Sequence, residues 1–168
     1  MSDEIKHECG LAYIRLRKPF SYYLQQRGSV TYGLNKLYLL MEKQHNRGQD
    51  GAGLATLKLN IEPGNPFLYR LRSNAQQPIA DLFYKISLEI QELEKFQPEI
   101  TKHPGLMKGH LPFMGEILLG HLRYGTQGKN NVEFCHPFIK KNLEKELKNN
   151  IRETAATFIA SGINPDNN

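Results

Sequence analysis

Within the stretch Gln44-His45-Asn46-Arg47-Gly48-Gln49-Asp50-Gly51-Ala52-Gly53, three glycines stand between a helix-like pattern and a strand-like pattern. Upstream, Leu34, Leu37, Tyr38 and Met41 recur at i, i+3, i+4 and i+7, the spacing of an amphipathic helix. Glycine is a poor helix former and a common helix terminator, so the helix is expected to stop near Asn46-Arg47-Gly48. Downstream, Gly51 to Leu59 reads as a strand carrying Ala52, Leu54, Ala55 and Leu57. The chain must therefore turn from helix to strand across a short polar link.

The rest of the chain adds elements of both kinds. Gly10 to Arg17 reads as a strand, with Leu11, Tyr13 and Ile14 suited to a pleated surface and Pro19 ending the run. Glu62-Pro63-Gly64-Asn65-Pro66 is a turn. Tyr69 to Ser73 is a short strand, and Ile79, Leu82, Phe83, Ile86, Ile90 and Leu93 mark a second amphipathic helix. Gln97 to Gly115, broken by Pro98, Pro104 and Pro112, reads as a long connection, with Pro98 to Gly115 a surface insertion. Glu116 to His121 is a strand, and Gly125 to Asn131 a polar loop. Beyond Pro137, Ile139, Leu143, Leu147 and Ile151 share one face of a helix rich in Lys and Glu.

At 168 residues, 39% hydrophobic and 23% charged, the chain is long enough for one domain with its own core. Its two cysteines, Cys9 and Cys135, make no disulfide framework, which points to a reducing cytoplasm. No apolar run approaches the roughly 20 residues that span a bilayer, and Met1 to Glu8 lacks the apolar stretch of a secretory signal. The net charge of +5 is spread along the chain rather than gathered in a stripe, which argues against nucleic acid as a partner.

Three stretches carry candidate chemistry. Cys9-Gly10 stands just before a strand and just after a short polar leader. In isolation such a cysteine is more often a small buried hydrophobe than a nucleophile. Arg47-Gly48-Gln49-Asp50-Gly51-Ala52-Gly53 follows a helix and could be no more than a helix stop. Gly120-His121-Leu122-Arg123-Tyr124-Gly125-Thr126-Gln127-Gly128 runs from a strand into a loop and could be a hairpin turn with an exposed Arg. Taken together and in this order, the three resemble the class II glutamine amidotransferases. The form of the second motif and the Arg123-Tyr124 pair are most similar to the N-terminal domain of the amidophosphoribosyltransferases of purine biosynthesis. The resemblance covers about Cys9 to Phe138.

That resemblance implies an α+β fold of the N-terminal-nucleophile (Ntn) hydrolase kind, an αββα sandwich of two antiparallel sheets flanked by helices and incomplete at the C-terminus. Three parts follow: a leader over residues 1–8, a partial glutamine amidotransferase type 2 domain over 9–138, and a divergent helical tail over 139–168. Glutamine would be hydrolysed to glutamate and ammonia through a thioester on Cys9, the ammonia passing to a phosphoribosyl pyrophosphate acceptor. A thiol of ordinary pKa about 8.5 is only partly ionised at neutral pH, and a free α-amino group of pKa about 8 can take its proton. While Glu8 is attached, the Cys9 nitrogen is an amide and cannot act as that base. The Glu8–Cys9 bond is thus the expected processing point.

By the same resemblance Arg123 grips the glutamine α-carboxylate, as a guanidinium can with two parallel bonds. Thr126 adds a hydroxyl donor. Tyr124 and Arg47 shape the pocket beside the nucleophile, and Gly48 and Gly51 allow backbone to approach closely. No metal and no cofactor is implied. The partners implied are glutamine and a phosphoribosyltransferase domain or partner chain. A membrane is not implied, and an oligomer is compatible with the pattern.

The sequence departs from the family where His would precede the motif's Arg: Asn46 stands there, with His45 one place earlier. An Asn-Gly-Asn-like turn, which supplies the family's oxyanion donors, is expected soon after His136-Pro137-Phe138, and the sequence has the Lys/Glu-rich segment instead. The alternative reading is accordingly a truncated, inactive remnant that serves at most as a partner-binding module.

Overall fold

The structure is a computed structural model and describes residues 8–125 and 131–138. Four strands form one antiparallel sheet in the order β1-β4-β2-β3, with β1 at Gly10–Arg15, β2 at Gly51–Leu57, β3 at Leu68–Ser73 and β4 at Ile117–Arg123. Residues 10–15 pair with 117–122, residues 51–57 with 117–123, and residues 52–57 with 68–73. The last of the four described strands therefore fills the gap between two earlier ones. Every residue of β2 is buried: strands flank both its edges, helices cover one face, and residues 135–137 lie over Gly51 and Gly53 on the other.

Among the described residues four helices accompany the sheet: α1 (Phe20–Arg27), α2 (Tyr32–Glu42), α3 (Pro78–Phe96) and α4 (Pro104–His110). Pro19 limits where α1 can begin, and Gly28 ends it at φ 69°, a left-handed conformation glycine adopts without a Cβ penalty. Pro78 opens α3, where a missing backbone N–H costs nothing. The apolar faces of α2 and α3 close over the sheet through Leu37, Met41, Leu82 and Ile86, meeting Leu54, Leu118 and Leu122. Each such fully buried side chain contributes about 1.5–3 kcal/mol relative to exposure.

Residues 97–115 are not the surface insertion the prolines suggested. They hold a 3₁₀ turn at Ile100–Lys102 and the helix α4. Ile100, Met107, Leu111, Phe113 and Met114 are all buried and belong to the main core. Prolines 98, 104 and 112 bound short helical pieces, whose apolar residues are too closely spaced to show a long period. Helix α1 was likewise hidden, since Phe20 is its sole buried residue.

The opposite sheet face is covered differently. Leu11 and Tyr13, on edge strand β1, are 47% and 56% exposed there. Across β4 and β2 the same face carries His121, Arg123, Gly51 and Gly53, and residues 135–137 lie over the two glycines. No helix among the described residues is long and apolar enough to cross a membrane.

Candidate functional site

Cys9 sits immediately before β1 and is exposed. Pairing of Gly10 with Leu122 brings the head of β1 beside the tail of β4, and the Tyr124 backbone N–H donates to the Cys9 sulfur at 3.5 Å. A sulfur accepts such a contact weakly as a thiol and more strongly as a thiolate. The Cys9 nitrogen is a peptide amide bonded to Glu8. The Glu8 carboxylate lies 4.0 Å from the Arg47 guanidinium, both side chains more than half exposed. An exposed pair of that length contributes little to stability.

The loop after β4 is fastened from the second motif. Asp50 accepts the Gly125 N–H through Oδ2 at 2.7 Å, and its own N–H donates to the Arg123 carbonyl at 3.1 Å. Gly48 lies so close that a Cβ there would come within 2.7 Å of the Arg123 and Leu122 backbone. At the end of α2, Gln44 donates through Nε2 to the Leu11 carbonyl at 3.2 Å and the Leu40 carbonyl at 3.3 Å. The first, second and third motifs thus meet at one end of the sheet. Asp50 and Gln44 had no role assigned from the sequence. Gln44 to Leu11 and Asp50 to Gly125 are contacts to backbone across long sequence separations, which no local pattern signals.

Arg123 is buried, not exposed as a hairpin Arg would be, with 6% of its surface accessible. Its guanidinium carbon stands 5.5 Å from the Phe134 ring centroid. It also acts on Cys135, whose thiol burial pushes up in pKa while Arg123 and Arg72 pull it down. Arg72 donates to the Glu133 and Cys135 carbonyls at 3.3 and 3.2 Å, anchoring residues 133–135 against the sheet. Cys135 is fully buried over Gly51. At Gly53 a Cβ would fall 1.8 Å from the His136 carbonyl oxygen, so only glycine permits this approach.

The rings of His121 and His136 lie 4.7 Å apart on that face, and His136 packs against Phe138. Burial, reinforced by the charge of His136, lowers the His121 pKa to about 4. His136 is lowered as well, by burial and then by Arg72. Both imidazoles are therefore neutral near pH 7.

Arg47 lies in a 3₁₀ turn, His45–Arg47, between α2 and β2, and is exposed. Tyr124 is half-buried at the end of β4. Thr126, the leader residues 1–7 and the tail 139–168 lie outside the described residues. Among the described residues no group of His, Cys, Asp and Glu side chains is placed to hold a metal ion.

No protein-family model, curated protein or solved structure matches the chain. What the site can do rests on its own geometry: an exposed thiol at a strand head, a backbone N–H aimed at its sulfur, and a loop held by Asp50.

Proposed function

We propose that the chain is a glutamine-hydrolysing domain of the class II amidotransferase kind, with Cys9 as its nucleophile once residues 1–8 are removed. The observation that carries this reading is the convergence of all three motifs around an exposed Cys9 sulfur that receives the Tyr124 N–H. In this reading the freed α-amino group of Cys9 takes the thiol proton. The sulfur then attacks the glutamine side-chain amide carbon. That attack forms the C–S bond; collapse of the adduct restores the carbonyl as a thioester and breaks the C–N bond, and the amine returns the proton to the departing ammonia. Water hydrolyses the thioester to glutamate and restores the thiol.

The Ntn-hydrolase arrangement is part of the same proposal. Leu11 and Tyr13 give the sheet an apolar patch on the face away from α2 and α3, where a second sheet would stack. Arg123 is the carboxylate anchor, Tyr124 and Arg47 border the substrate, Gly48 lets the loops close together, and Thr126 supplies a hydroxyl. Ammonia passes to a phosphoribosyl acceptor on another domain or chain, in a cytoplasmic setting.

One observation favours the second reading, a partner-binding module without activity. Arg123 is held under Phe134 and beside Cys135, where it props residues 132–138 rather than facing solvent. The deciding experiment is glutamate release from glutamine by a chain beginning at Cys9, beside the same chain carrying Cys9→Ala. Cys9-dependent glutamate release supports the enzyme. Equal background rates from both would remove it and leave the binding module.

A further inference from the structure

At the end of the sheet away from Cys9, the chain leaving β1 and the start of β4 border a second feature. A cavity of about 710 Å³ opens between the 15–21 segment, Leu59-Asn60 and α4. Gly10 and Arg15 are the two ends of β1, so this cavity lies about 17 Å along the strand from the Cys9 end. Its size is that of a small-molecule site.

The charges around it do not balance. Arg15, Arg17, Lys18 and Lys108 line it, against the single carboxylate of Glu116. That carboxylate is already engaged: Oε1 meets the Lys108 ammonium at 2.5 Å and Oε2 accepts the Leu59 N–H at 2.8 Å. Lys108 also donates to the Leu59 carbonyl, so its charge is spoken for. Arg15, Arg17 and Lys18 have no carboxylate partner among the described residues, and the nearest ring to Lys18, Tyr22, is 6.0 Å away. The first turn of α1 opens on the same space through Phe20 and Ser21, and it carries no acidic residue and no side-chain cap. Buried Leu16 and Phe20 add apolar wall.

We propose that this cavity binds a small organic phosphate, a phosphomonoester of about mononucleotide size. The proposal does not rest on the glutaminase reading. Three cations without a carboxylate partner among the described residues, at one mouth, suit a dianion better than a monoanion, and a phosphomonoester carries close to two negative charges at neutral pH. Arg15 and Arg17 offer forked donors that match phosphate oxygens. The apolar wall suits the organic body, which inorganic phosphate lacks. The positive charge gathers on one short segment, Arg15 to Lys18, which favours a small molecule over a nucleic-acid strand, which needs a continuous charged groove with stacking platforms.

Isothermal titration of the full chain with uridine 5′-monophosphate, uridine, inorganic phosphate and a short single-stranded oligonucleotide tests this. Uridine monophosphate is expected to bind, with uridine and inorganic phosphate each weaker by at least roughly ten-fold, the scale of one charge-assisted bond. Arg17→Ala combined with Lys18→Ala is expected to weaken the monophosphate ten- to a hundred-fold, about one to two such bonds. Both residues are exposed, so circular dichroism of the double variant should match the parent. Lys95→Ala, on the exposed side of α3, should leave binding unchanged. The proposal is overturned by no binding of the monophosphate, by equal binding of uridine, by equal binding of inorganic phosphate, or by a double variant that binds as the parent does. Tighter binding of the oligonucleotide than of the monophosphate would also overturn it and mark the surface as nucleic-acid binding.

Discussion

At the scale of single residues the two cysteines are a built-in control. Cys9 is exposed, whereas Cys135 has no accessible surface and a thiol pushed up in pKa by burial. Iodoacetamide on the native chain should alkylate Cys9 first and reach Cys135 only after unfolding. Peptide mass mapping reads this, and equal labelling would contradict the packing of residues 131–138. Gly53 offers a steric test of the same packing. Gly53→Ala places a methyl group 1.8 Å from the His136 carbonyl oxygen, and relief of such overpacking typically costs about 1–3 kcal/mol. A urea midpoint unchanged by the substitution would mean that residues 135–137 do not rest on β2.

His121 gives the pH dependence. Its folded pKa, about 4, lies below the usual 6.5 because burial disfavours the charged ring. The unfolded chain therefore takes up a proton between those values that the folded chain does not. Stability should be highest above pH 6.5 and fall as pH drops towards 4, by at most about 1.4 kcal/mol per pH unit from this group. Urea unfolding at pH 7.5 and pH 5 measures the slope, and His121→Gln should reduce it, leaving the part that His136 contributes. The roles of Cys135, Gly53 and His121 were not legible in advance. The His121–His136 contact and the seat of Cys135 join positions far apart in sequence, and periodicity reports nothing about such pairs.

Among the elements, legibility followed the length of the repeating pattern. Helices α2 and α3 present several turns of one apolar face, and their sequence-based positions agree with the structure to within a few residues. Strands β2 and β4 were visible as apolar runs beside glycine. Helix α4 spans Pro104–His110 and buries a single residue of its own, Met107, so it offers no period to read. Its weight in the fold is nonetheless testable. Met107→Ala and Leu111→Ala each remove a fully buried side chain and should cost about 2–5 kcal/mol in chemical denaturation. Losses under half a kilocalorie would restore the surface-insertion reading of 98–115. The motif ends were legible as types of residue but not as contacts: the sequence supplied Arg123 as an anchor, and the structure places it beneath Phe134.

For the whole molecule, the glutaminase proposal makes a demand on the N-terminus. An active preparation should begin at Cys9, because the amide to Glu8 leaves no amine to serve as base. Intact-mass measurement of glutaminase-active protein decides it, and activity in a sample still beginning at Met1 would defeat the amine-as-base scheme. The α+β class came with the resemblance, and the antiparallel sheet with its helices is compatible with it. Strand order could not be read, because nothing local in residues 117–123 says that they insert between 10–15 and 51–57. That insertion has a consequence for how the protein is made. On the ribosome, β1 and β2 emerge early and run in the same direction with an empty lane between them. The edges that face this lane have no strand partner until residue 123 has left the exit tunnel, so the nascent sheet stays open until then. Chains stalled before β4 emerges should be digested rapidly by a probing protease, and chains stalled well after it should turn resistant in a single step.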